Sequence, residues 1–275
     1  MAGRQKLEAQ RRLLGAGCAV LECAVERGVG FCMRDCDEFP CDAFARRAYP
    51  YGEGFLGMQA RRRAGLEGNA AHWPDNAAMF WEMLERRPAD EVRRCAGVDG
   101  DGTTYTVPSL HESWTVDVAN RSVSKRQGAF GGEWDRQLPF LLVAYLTKAG
   151  EGPLAGEMVP PRDLVPGQDV FRGKNAIEVG DLEAEFGDDA ESFAGAASAL
   201  GGEATDLADA STRFMVLPKL PVSYLLWLRD EEFPARVGVL VDANAPRHFP
   251  TEGIANCVNL LTRRLLLAAR ERRRG

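Results

Sequence analysis

The sequence predicts an α+β protein: a helical N-terminal region, then a mixed, largely antiparallel sheet with helices packed on it. Three observations carry that prediction. Apolar residues recur at helical spacing near both ends of the chain. Segments rich in β-branched and aromatic residues fall into two groups, at about 103–124 and 214–241. Helical stretches lie between the groups instead of alternating one for one with strands, which separates α+β from doubly wound folds.

The elements follow in order. Leu7, Leu14, Cys18, Leu21 and Val25 predict an amphipathic helix from about Arg4 to Arg27, stopped by Gly28 and Gly30. Residues 29–70 mix cysteines, acids, arginines, prolines and glycines and read as irregular. Trp73-Pro74-Asp75 opens a helix with Ala78, Phe80, Trp81 and Leu84 on its apolar side, and Pro88 to Gly97 frames another. A soft boundary near residue 88 divides a cysteine-bearing region, 1–88, from an α+β domain, 89–275.

Asp99-Gly100-Asp101-Gly102 is a turn. Strands follow at Thr103–Val107, Ser113–Val118 and Ser122–Ser124. Leu138–Lys148 reads as a helix buried nearly all round, with Pro139 early in it, and residues 150–173 as loop or short edge strand. Asp181–Phe186 and Asp188–Leu200 are helical. Phe214–Leu217, Val222–Leu228 and Val237–Val241 are strands, the last two joined by an acidic turn. Ile254, Val258, Leu261, Leu265 and Ala268 form the stripe of a final helix.

Composition narrows the function. At 275 residues, 45% hydrophobic and 27% charged, the chain can bury a sizeable core. The net charge of -6 is uneven, since residues 263–275 hold six arginines against one glutamate. With the rest of the chain acidic, that tail reads as a solvated helix end and not as a nucleic-acid contact. The longest apolar run, Leu138 to Leu146, falls far short of the roughly 20 residues that span a bilayer, so no membrane insertion is expected. Charges stand where a signal peptide needs an apolar stretch, and seven cysteines cannot all pair internally. Both point to a cytoplasmic protein with reduced thiols.

Three constellations carry possible chemistry. Cys32-x3-Cys36-x4-Cys41 supplies three thiols, with Cys18, Cys23 or Cys95 as a fourth. Four thiolates are the usual ligand set of an iron–sulfur cluster or structural zinc. If residues 31–38 are helical, Cys32 and Cys36 share a face. The alternative is that these thiols are small buried hydrophobes. The acidic turn offers Asp230 and Glu232, on one face of any extended segment with Glu231 opposite, as general base or cation ligands with Asp242 or His248. Its plainer reading is a solvated turn anchored by Phe233 and ended by Pro234. His111-Glu112 suits an acid/base pair or an ordinary surface pair, and the third histidine is His72. Gly131-Gly132 would let a ligand approach closely or simply form a loop. The familiar nucleotide, nucleophile-elbow and zinc-protease motifs do not occur in the sequence.

Seven segments, in order, resemble one family. They are Leu141-Leu142-Val143-Ala144-Tyr145-Leu146, Pro153-Leu154-Ala155-Gly156-Glu157, Leu164-Val165-Pro166-Gly167 and Glu185-Phe186-Gly187. Leu200-Gly201-Gly202, Leu217-Pro218-Lys219-Leu220-Pro221 and Trp227 through Asp230-Glu231-Glu232-Phe233-Pro234 to Asp242 complete the set. Over about residues 90–270 they resemble domain of unknown function 3786, a family known mainly from anaerobic bacteria and archaea. The resemblance implies no particular activity. Some relatives carry an N-terminal cysteine module of iron–sulfur type, whose close Cys-x-x-Cys spacing this chain lacks.

The functional expectation is a non-catalytic binding or accessory protein, metal- or redox-linked in anaerobic metabolism, with a protein or small-molecule partner. An enzyme acting on a small polar or metal-bound substrate through Asp230, Glu232, Asp242 and His248 is the second reading. A structural subunit docking through the final helix is the third.

Overall fold

A computed structural model of the chain describes residues 7–12, 15, 17–28, 32, 36, 38–39, 41–45, 76–127, 133–165 and 170–273. The chain divides into two compact units, residues 1–70 and 71–275.

In the first unit a helical stretch at residues 7–12 precedes α1 (Ala19–Glu26) and α2 (Asp42–Ala45). The single helix expected from Arg4 to Arg27 is therefore broken. Gly15 adopts φ +69° and donates its N–H to the Arg11 carbonyl at 3.1 Å, a left-handed cap that only glycine forms without strain. At Gly17 a Cβ would collide with the Glu22 side chain. Arg11, before this stretch, pairs with Glu22 of α1 at 2.7 Å.

The second unit begins with α3 (Ala77–Arg86) and α4 (Ala89–Ala96). The change of pattern near residue 88 falls between these two helices, both of which pack on α5 (Glu133–Lys148). Gly97, at φ +66°, ends α4 as the sequence suggests. Strands β1 (Asp99–Gly100), β2 (Thr104–Ser109), β3 (Glu112–Asp117) and β4 (Ser122–Gln127) form an antiparallel meander in chain order. Alternation sets its buried face: Tyr105, Val107, Trp114 and Val116 point inward. Helix α5 starts at Glu133, five residues before the expected Leu138, so Pro139 lies inside it. The Arg87 guanidinium donates to the carbonyls of Leu146 and Ala149 at its far end.

A second antiparallel sheet has the order β5-β9-β8-β7-β6, built from Met158–Val159, Arg236–Asp242, Leu220–Trp227, Ala210–Leu217 and Glu203–Thr205. The α+β class holds, with every ladder antiparallel and the strands divided between two sheets. Strand β8 is central and buried along all but its last residue, as its apolar run demands. Helices α6 (Gly180–Phe186), α7 (Ala190–Ala199), α8 (Ala245–His248) and α9 (Thr251–Arg272) complete the unit. The stripe from Ile254 to Ala268 faces the core, and the Tyr224 hydroxyl ties β8 to α9 through the Val258 carbonyl at 2.9 Å and the Thr262 hydroxyl at 2.8 Å. Arg264, expected on a solvated helix end, is buried on the packed side of α9. Among the described residues no helix is long and apolar enough to cross a membrane.

Candidate functional site

In the N-terminal unit a small cavity of about 10 Å³ is lined by Cys23, Cys32, Cys36 and Cys41, with Arg27 and Phe39 among its other walls. Local structure explains the convergence. Helix α1 presents Cys23 and ends at Arg27. The Cys36 N–H donates to the Cys32 carbonyl at 3.2 Å, and both residues line the cavity. Cys41 precedes α2, where the Phe44 N–H donates to its carbonyl at 2.9 Å. Phe39 and Phe44 pack edge to face, centroids 5.1 Å apart, behind the thiols.

All seven cysteines are free thiols, and the four at the cavity are half-buried. Burial, reinforced by neighbouring Cys36, Cys23 and Cys41, pushes the Cys32 thiol above its ordinary range. Arg27, held in its charged form chiefly by Glu38 at 2.9 Å, also lies in the field of Cys23 and Cys36. The sequence left the fourth thiol open among Cys18, Cys23 and Cys95. Cys23 lines the cavity, Cys18 caps α1, and Cys95 is buried in the core of the other unit. Among the described residues, no three or more His, Cys, Asp or Glu side chains are drawn close enough to hold a metal ion as they stand.

The acidic candidates lie apart from one another in their bonding. Asp230 accepts the N–H groups of Glu232 and Phe233 at 2.8 and 2.7 Å, and its own N–H donates to the Phe233 carbonyl. That carboxylate closes its own turn. Glu232 is exposed on the same turn. Asp242, only 1% exposed, accepts three backbone N–H groups: Ala155 and Asn244 on one oxygen, Gly156 on the other. His248 is fully buried, with Nδ1 3.1 Å from the Gly150 carbonyl and, among the described residues, no hydrogen-bond partner for Nε2. Asp242 and His248 thus both hold the loop that leaves α5, at different points. Among the described residues, no hydrogen bond joins Asp230 or Glu232 to either.

Glu112, next to His111, is buried beneath the first sheet, where it accepts from Trp114 Nε1 and Lys125 Nζ, both at 3.1 Å. His72, Gly131 and Gly132 lie outside the described residues.

An α+β unit built from an antiparallel meander, a five-stranded antiparallel sheet and a long closing helix is the class of protein that these elements define. A family model described as Domain of unknown function (DUF3786) matches residues 89–264. The chain belongs to that family. No curated protein and no solved structure matches it. Asp230, Glu232, Asp242 and His248 fall within the matched residues, and the four-thiol cavity precedes them.

Proposed function

We propose that this is a non-catalytic accessory protein whose N-terminal unit binds a single metal ion through Cys23, Cys32, Cys36 and Cys41. The observation that carries the reading is that these four thiols share one cavity. Its volume, comparable to the roughly 10–15 Å³ that admits one water, favours an ion over an iron–sulfur cluster. Four thiolates about 2.3 Å from a tetrahedral zinc are the commonest closed site of this kind. The thiols stand farther apart than that now, and metal binding normally completes such a shell as it releases their protons. A zinc with four thiolates carries two negative charges, and Arg27 at the cavity is placed to offset part of them. The reading also puts the chain in a reducing compartment, the cytoplasm, where seven free cysteines persist. A non-catalytic role fits the carboxylates of Asp230 and Asp242, which are taken up by backbone N–H groups.

The test is metal and acid-labile sulfide content, with an absorption spectrum, on protein purified without oxygen. About one zinc per chain without sulfide is expected, with the metal lost in Cys36→Ser and retained in Cys18→Ser. Iron with sulfide would replace the single ion by a cluster. Protein free of metal, even after incubation with zinc, would sink the reading.

A further inference from the structure

The outer face of β8 and β9 carries a groove that no motif in the sequence announces. Strand alternation puts Leu225 and Trp227 of β8 beside Gly238 and Arg236 of β9, with Leu225 opposite Gly238 and Trp227 opposite Arg236. The other face of the same strands carries core residues such as Tyr224, Leu226 and Val241. Pro160, Arg162, Phe171 and Ile177 also line the groove. Its volume is about 420 Å³, within the roughly 300–1,000 Å³ of small-molecule sites.

Two features give the groove a chemistry. The first is flatness. A Cβ at Gly238 would come within 3.0 Å of Trp227 Cζ3 and 3.3 Å of Cη2, so the missing side chain lets the indole lie across the strand. Trp227 remains 36% exposed, large for a tryptophan on a central strand. The second is charge. The Arg236 guanidinium carbon sits 5.3 Å from the Trp227 ring centroid, and among the described residues no carboxylate pairs with it. Among the described residues Arg162 pairs only with its exposed neighbour Asp163, at 3.8 Å, a pairing that contributes little. No carboxylate is among the described residues lining the groove, although the chain as a whole is acidic.

We infer that this groove binds a small, flat, apolar carboxylic acid, its ring stacked beside Trp227 and its carboxylate on the Arg236 and Arg162 guanidiniums. The indole and the aliphatic walls supply apolar contact, and a guanidinium fork matches a carboxylate in both geometry and charge. The inference stands on the second unit alone and is independent of metal in the first.

The experiment is isothermal titration of the full-length protein with 2-naphthoate and with its neutral counterpart 2-naphthamide. The acid is expected to bind about tenfold more tightly than the amide, the effect of one charge-assisted hydrogen bond. Arg236→Gln should reduce that preference, and Arg236→Gln combined with Arg162→Gln should abolish it, with the melting temperature unchanged. Gly238→Val, which fills the floor, should weaken both probes. Equal affinities, no heat at millimolar acid, or a preference that survives loss of both arginines would each overturn the assignment. If Gly238→Val does not fold, the arginine variants still decide it.

Discussion

Replacing Asp242 by asparagine separates a carboxylate that holds the fold from one kept for chemistry. Oδ1 accepts from Ala155 N–H at 2.9 Å and Asn244 N–H at 2.8 Å, and Oδ2 accepts from Gly156 N–H at 2.9 Å. An asparagine has one acceptor oxygen. If it takes the place of Oδ1, the amide NH₂ faces the Gly156 N–H, donor against donor, and the two surviving bonds lose their charge. One lost charge-assisted bond costs roughly 1.5–3 kcal/mol, and an N–H left unsatisfied at a buried site adds to that. About 3 kcal/mol in total is expected, and at about 2–4 °C per kcal/mol for a domain of this size the melting temperature should fall by about 6–12 °C. Thermal and urea denaturation of Asp242→Asn measure it, and hydrogen exchange at Ala155 and Gly156 should accelerate. Asp230→Asn is the control, because an asparagine carbonyl can still accept from Glu232 and Phe233 within the turn. An Asp242→Asn protein that melts within a degree of the parent would refute the structural role and return the residue to the catalytic candidates.

Two further outcomes follow from buried and exposed acids. Lys125→Met removes the ammonium 3.1 Å from the fully buried Glu112 carboxylate and should cost about 3–5 kcal/mol in urea denaturation. Adding Glu112→Gln should recover part of that loss, since a glutamine carbonyl still accepts from Trp114, and strictly additive costs would argue against coupling. Asp101 is held at about 2, below its ordinary 3.8, first by the Thr103 hydroxyl and then by the N–H groups of Thr104 and Thr103. A depressed acid stabilises fully above its unfolded value and loses that contribution as pH falls through its folded one. The stability advantage of the parent over Asp101→Asn should therefore shrink between about pH 4 and pH 2, and parallel urea midpoints across that window would contradict the assignment.

Strands and helices that carry their own hydrophobic pattern were legible in the sequence. Strand β8 shows it as an unbroken apolar run, β2 and β3 as alternation, and α9 as a stripe from Ile254 to Ala268. Elements fixed by their neighbours were not. Of strand β5 the sequence offered only loop or short edge strand across 150–173; its place was fixed where Met158 and Val159 pair with Asp242 and Val241. The break near Gly15 was hidden because the apolar spacing of Leu7, Leu14 and Cys18 continues across it while the backbone does not. Burial of Arg264 was equally hidden, since an arginine among arginines near a chain end carries no sign of which side of the helix packs.

The same distinction governs the candidate sites. An acid after an apolar strand looks identical in sequence whether it faces a ligand or three backbone N–H groups, and Asp242 is resolved only by the loop that folds onto it. The cysteines are legible as residue types, but the choice of Cys23 as fourth depends on which side of α1 meets Cys32 and Cys36. The groove left no motif because its essential feature is a glycine, Gly238, whose missing side chain matters only beside Trp227 on the paired strand. Groove and thiols also belong to different units. Residues 89–264, which the chain shares with its family, contain Trp227, Arg236 and Gly238, whereas Cys23, Cys32, Cys36 and Cys41 precede them. The groove therefore lies within the family match and the thiols outside it, so the proposed carboxylate binding and the proposed metal binding are separable, and either can fail without the other.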